Sequence, residues 1–224
     1  MTEMFQKGKM NKIDEKDICS TILKYGENVL SSDIFQQSSA QTHHVLGTVF
    51  DHTINVCAVS LWLARQLKER GVAVNEKDLV QAALCHDLGM IGRDSKYKDT
   101  LDSWKDHPKE SARIARELIP DLSSEAEDMI LSHMWPLSGP APRSNEGMLL
   151  CISDKYASMA DWKSWLTEHR LSARIREFLN DKVDFRRLQR IPAEGSISVG
   201  NLEISWERKR PEMTSRDGKA EEKK

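Results

Sequence analysis

Residues 82–92 read AALCHDLGMIG, and the fold is decided here. An apolar run with helical spacing ends on the adjacent pair His86 and Asp87, and Gly89 then interrupts it. On a helix, His86 falls in line with Leu79 and Ala83, and Asp87 with Val80, Ala83 and Leu84, so the pair is carried into a buried helix end. A buried carboxylate without a partner is very costly. Asp87 therefore requires a cation, a strong set of hydrogen bonds or a raised pKa.

On both sides of this stretch the apolar residues keep a helical period, over about 15–30, 48–70, 76–88, 108–118, 123–135, 146–165 and 172–179. Gly71, Gly89, Pro120 and Pro136 follow four of these segments as stops, because Gly accepts the left-handed conformation and Pro cannot continue a helix. Strand signal is almost absent, so the expected class is all-α, a helical bundle. Near the carboxyl end, SISVGNLEIS (196–205) alternates about Gly200-Asn201 and admits a small β-hairpin. Beyond Trp206 the chain has almost nothing to bury, and a disordered tail is expected over 206–224. The expected organisation is an N-terminal helical segment over 1–40, a central domain over 41–170, and a C-terminal helix and hairpin over 171–205.

The 224 residues suffice for one good core. The charged fraction is 30% but the net charge is only -2, which gives no overall field toward a nucleic-acid polymer or an acidic membrane surface. A small soluble substrate fits better. No segment approaches the ~18 charge-free apolar residues of a membrane span. Cys19, Cys57, Cys85 and Cys151 are widely spaced, form no Cys-x-x-Cys pair and read as free thiols, and the amino terminus lacks a secretory signal; a cytoplasmic location is expected.

The pattern begun by His86 and Asp87 recurs along the chain. His52 shares a stripe with Val56, Val59 and Leu63; His107 precedes Pro108 at a helix start; His133 is in register with Ala126, Met129 and Ile130; Asp154 follows Leu150 and Cys151 on an apolar face. Four histidines and two carboxylates thus face inward. Imidazole nitrogen and carboxylate oxygen together bind Fe, Mn, Zn, Co or Ni, and a carboxylate can bridge two such ions. With two divalent ions sharing six ligands, each receives about three protein bonds, which leaves positions open for water and substrate, as catalytic sites require.

These residues resemble the HD superfamily, whose members carry ligands in the order H, HD, H, H, D. The likeness runs over about 42–162, through FDHTINVCAVSLWLA, AALCHDLGMIG, DHPKESARIARELIP, ILSHMWPL and CISDKYASM. It implies a helical HD domain in which Asp87 bridges the metals, His52, His86 and Asp154 serve one ion, and His107 and His133 the other, with Asp87 and His86 central to catalysis. The implied activity is hydrolysis of a nucleotide or related small phosphoester. HMWPLSGPAPR stands where the cyclic di-GMP-cleaving branch has a paired histidine and a GYP stretch, so neither that reaction nor a third metal is expected.

Many family members also place a lysine just after HD-x-G, where this chain has Met90, Ile91, Gly92 and Arg93. Phosphate contacts are then expected from Arg93, Lys96, Arg143 or Lys155, and substrate contacts from His43 and His44 in the loop QTHHVLG. His169 reads as solvent-facing. Trp104, Trp135, Trp162 and Trp165 suit a base-stacking pocket, although bulky aromatics in a bundle usually pack the core. The same ligand order occurs in HD-fold di-iron oxygenases that cleave a carbon bond, and related bundles serve as non-catalytic signalling modules; metal content and turnover separate these from a hydrolase.

Overall fold

The computed structural model describes residues 15–43, 47–164 and 195–206. The expected helix over 172–179 and the expected tail, together with His44 and His169, lie outside the described residues, as do the side chains of Trp162 and Trp165.

Side-chain caps spelled out by the sequence start most of the helices. Helix α1 spans Glu15–Leu30 and a short α2 spans Asp33–Gln37, where Ser32 accepts from the Phe35 amide. Thr48 caps α3 (Val49–Lys68) and Asn75 caps α4 (Glu76–Cys85), each accepting an amide N–H three residues on. A short α5 (Arg93–Lys96) leads to α6 (Thr100–Leu118), capped by Asp99; Ser123 caps α7 (Ser124–Ser132), and α8 covers Asn145–Ser164. Each such cap is worth about 1 kcal/mol.

At the centre lies α4, packed by α1, α3, α6, α7 and α8. Every residue from Asp78 to Cys85 is buried, as befits a helix covered on all sides. Ile18, Ile22 and Leu30 of α1 join the same core, with Gly26 close against Leu84. The hairpin forms from β1 (Gly195–Val199) and β2 (Leu202–Trp206), antiparallel with Val199 opposite Leu202 about a positive-φ Gly200. Val199 and Ile204 are buried in the main core, and Glu117 of α6 accepts from the Asn201 amide. The described fold is therefore helical with one small hairpin. Among its residues, no helix is long and apolar enough to cross a membrane. The four cysteines are free, and burial pushes the Cys57 and Cys85 thiols up, which keeps them protonated and unreactive.

Three boundaries depart from the periodicity, one of them the end of α7 at Ser132 rather than Trp135. Helix α4 stops at Cys85 rather than Leu88, and a 3-10 turn over Leu88–Met90 follows. Helix α6 begins at Thr100, not Pro108, because Asp99 accepts from both Leu101 and Asp102. Pro108 is then an interior residue that forfeits one helical hydrogen bond. The two short helices α2 and α5 carry too few apolar residues to register a period.

Gly89 also acts differently from a left-handed stop. A Cβ there would lie 2.4 Å from the His107 carbonyl oxygen and 3.0 Å from the Ser111 amide nitrogen, and the Gly89 amide donates to Ser111 Oγ at 2.9 Å. The residue is small because the α6 backbone passes directly against it. Gly89→Ala should therefore cost about 1–3 kcal/mol by overpacking. Denaturant unfolding checks this, and an unchanged midpoint would mean that α6 recedes freely.

Candidate metal centre

Six inward side chains arrive from five different helices or their ends. His52 lies in the first turn of α3, His107 within α6, and Asp154 on α8, while His86 and His133 are the residues that close α4 and α7. Asp87 follows His86 with φ -113° and ψ 9°, in the bridge region that turns the chain out of the helix and its carboxylate inward. All six are buried.

Asp87 lies between two sets of histidines. Its Oδ2 is 3.6 Å from His52 Nε2 and 3.4 Å from His86 Nε2; its Oδ1 is 3.3 Å from His107 Nε2 and 3.5 Å from His133 Nε2. Asp154 Oδ1 joins the first set, 3.0 Å from His52 Nε2 and 3.9 Å from His86 Nε2. Two of the groupings whose ligand atoms lie mutually within 4.8 Å are therefore His52, His86 and Asp154, and Asp87, His107 and His133.

The hydrogen bonds at the rear of the rings test whether a cation fits. His86 Nδ1 faces the Ala83 carbonyl at 2.7 Å, His107 Nδ1 that of Ser103 at 2.6 Å, and His133 Nδ1 that of Ile130 at 2.7 Å. A carbonyl only accepts, so each Nδ1 carries a proton, and in its neutral form each ring presents an Nε2 lone pair to the centre. His107 Nε2 and His133 Nε2 lie 3.0 Å apart, and His86 Nε2 is buried with no hydrogen bond. Lone pairs facing each other and a carboxylate, in a buried space, constitute a site for a positive charge. The donor set, nitrogen and carboxylate oxygen, suits a divalent transition ion.

In the metal-free protein, protons on the rings take the place of that positive charge beside the two carboxylates. Burial alone would push the Asp87 carboxyl up, but His86, His107, His133 and His43 together hold it well below the usual range. Asp154 is likewise raised by burial and more than compensated by His52, so both stay ionised. Burial draws His133 down to about 4 despite its hydrogen bond to Asp87, helped by neighbouring His107 and His86. Its ring is neutral near pH 7, the form that binds metal.

A cavity of about 710 Å³ opens onto Asp87, His107 and Asp154. The substrate candidates read from the sequence are distributed unevenly about it. His43 lines the cavity and is buried, with Nε2 2.9 Å from Asp87 Oδ2 and its ring stacked on His52 at 3.9 Å. Lys155 also lines it, donating to Asp154 Oδ2 at 2.9 Å and to the His133 carbonyl. Arg93 lines the wall while donating to the His43 carbonyl at 2.7 Å. Lys96 instead points to Glu110 and the Gly89 carbonyl and is not among the lining residues. Arg143 is exposed beside Asp128, also away from the cavity. Of the tryptophans, Trp104 lines the cavity, whereas Trp135 is half-buried elsewhere.

Some contributors carried no sequence signal. Gln41 accepts the Gly92 amide through Oε1 at 2.9 Å, and Tyr97 Oη donates to the Gly89 carbonyl at 2.9 Å; both brace the turn after Asp87. Lys98 adds an exposed cation to the cavity wall. None has a spacing that would distinguish it from an ordinary loop residue.

Residues 49–159 match the family model of the HD domain, and the chain belongs to the HD superfamily. The match spans every one of the six side chains. Neither curated proteins nor solved structures give a significant match. The superfamily is of metal-dependent, hydrolase type, in keeping with a buried His/Asp cluster able to hold metal.

A pH effect follows from His133. Between its ordinary value of 6.5 and its folded value of about 4, the unfolded chain binds a proton there that the folded chain does not. Stability of the metal-free protein should therefore rise with pH across that window. Urea midpoints in chelator at several pH values measure it; a midpoint that rose on acidification would mean that protonated His133 is better accommodated than the neutral ring.

Proposed function

We propose that this protein is a metal-dependent phosphohydrolase that cleaves a small-molecule phosphoester at a dinuclear centre. The observation that carries this reading is the division of Asp87, one oxygen toward His52 and His86 and the other toward His107 and His133. A carboxylate so divided suits a bridge. His52, His86 and Asp154 would hold one ion, and His107 and His133 the other. Bound there, two divalent ions supply an acidified water and a clamp for phosphoryl oxygens.

The chain itself handles the rest. Lys155, tied to Asp154 Oδ2, fixes that carboxylate with Oδ1 turned toward His52. Arg93, Lys98 and Lys155 put positive charge around the cavity, which complements a phosphate entering beside Asp87. Met90, Trp104, Met134, Leu137 and Met159 make an apolar wall for the organic part of the ester. A volume near 710 Å³ is that of a small-ligand pocket. The free cysteines fit a reducing, cytoplasmic setting.

The test is metal analysis of anaerobically purified protein, coupled to phosphate release from a panel of nucleotides and generic phosphoesters. Two equivalents of metal with phosphate release are expected. Asp87→Ala should lose metal and turnover together, and retention of both ions by that variant would refute the bridging role. Two irons with oxygen consumption and no phosphate release would transfer the site to carbon-bond oxygenation.

A further inference from the structure

We infer that His43 is a seventh side chain of the metal centre, ligating the ion on the His52 side, and that the two metal positions are consequently unequal. The inference rests on the cluster being a metal site, as argued above. His43 comes from the segment before α3, outside the six-residue ligand order and outside the matched HD region. Its Nε2, His52 Nε2 and an Asp87 oxygen lie mutually within 4.8 Å, a spacing that one ion can span. The two rings stack at 3.9 Å between centroids and 16° between planes, so their nitrogens face the same carboxylate oxygen.

The segment is built to hold that position. The His43 amide donates to the Gly47 carbonyl at 2.9 Å, Thr42 bridges Thr48, and the Val49 amide donates to the Gln41 carbonyl at 2.9 Å. The segment is tied in turn to the strand of chain after Asp87, through Gln41 Oε1 on the Gly92 amide and Arg93 Nη1 on the His43 carbonyl. Arg93 is thereby a positioning residue for His43, in addition to lining the cavity. A loop histidine meant only to meet substrate needs no such anchoring, and orienting a buried imidazole at a carboxylate already shared by four histidines is favourable when a cation lies among them.

The count of donors then differs between the two sides. On the Oδ2 side of Asp87 stand His43, His52 and His86, with Asp154 against His52 and His86; on the Oδ1 side, among the described residues, stand His107 and His133. The first ion is nearly enclosed by protein and binds tightly. The second keeps more positions for water and substrate and exchanges more readily.

Cobalt(II) titration of the metal-free protein, read by visible absorption and calorimetry, tests this without any substrate. Two ions should bind with distinct affinities. His43→Ala and His43→Gln should weaken the tighter site at least ten- to hundredfold, the range known for loss of supporting groups, and alter its absorption band. Arg93→Ala should weaken the same site less, with no further loss when combined with His43→Ala. X-ray absorption on the unaltered protein loaded with one equivalent avoids any folding defect of the variants: three imidazoles on the ion are expected, and two would overturn the inference. Two ions bound by the His43 variants with unchanged affinity and spectrum would overturn it as well, while leaving the metal centre standing. Failure of the unaltered protein to bind cobalt(II) would overturn both.

Discussion

One buried carboxylate organises this molecule. Asp87 lies in the interior with acceptor lone pairs of several imidazoles around it, an arrangement that repels itself unless positive charge is brought in. Ordinary cores avoid such a grouping because each polar group there must find a complementary partner. Here the backbone makes the complementary choice elsewhere: carbonyls at Ala83, Ser103 and Ile130 take the Nδ1 protons, and every remaining lone pair is left for the centre. The rings are locked in tautomer and direction before any ion arrives, which is the preorganisation that a metal site needs.

Helix packing serves this constraint. The ends of α4 and α7 stop where His86 and His133 can turn inward, and the missing side chain at Gly89 lets α6 approach closely enough for His107 to reach the opposite oxygen of Asp87. The chain accepts an interior proline at position 108, one residue from that histidine, and α6 is sustained by the double cap at Asp99 and by burial of Ile114 and Ala115. A local backbone cost is tolerated beside the tertiary contact between His107 and Asp87.

Around the centre, the apparent surplus of cations is partly absorbed by structure. Arg93 holds a backbone carbonyl, Lys96 turns to Glu110 and Gly89, and Lys155 fixes Asp154. Lysines and arginines near a predicted site therefore say little by proximity in sequence; what each one does depends on which acceptors the fold brings within reach. His43 illustrates the same point in reverse, as a residue that reads as part of a loop and ends up buried against His52 and Asp87.

The sequence by itself determined the helical class, the buried character of His52, His86, Asp87, His107, His133 and Asp154, and the small hairpin about Gly200. Each of these is written in a local period or a turn pair, and a residue in register with apolar neighbours must share their environment. Only the tertiary structure decided which oxygen of Asp87 faces which histidines, that α6 starts at Thr100, why position 89 is glycine, and that Gln41, His43, Arg93 and Tyr97 brace one turn. Those facts depend on contacts between segments some ten to a hundred residues apart, and no periodicity within one segment records what another segment brings against it.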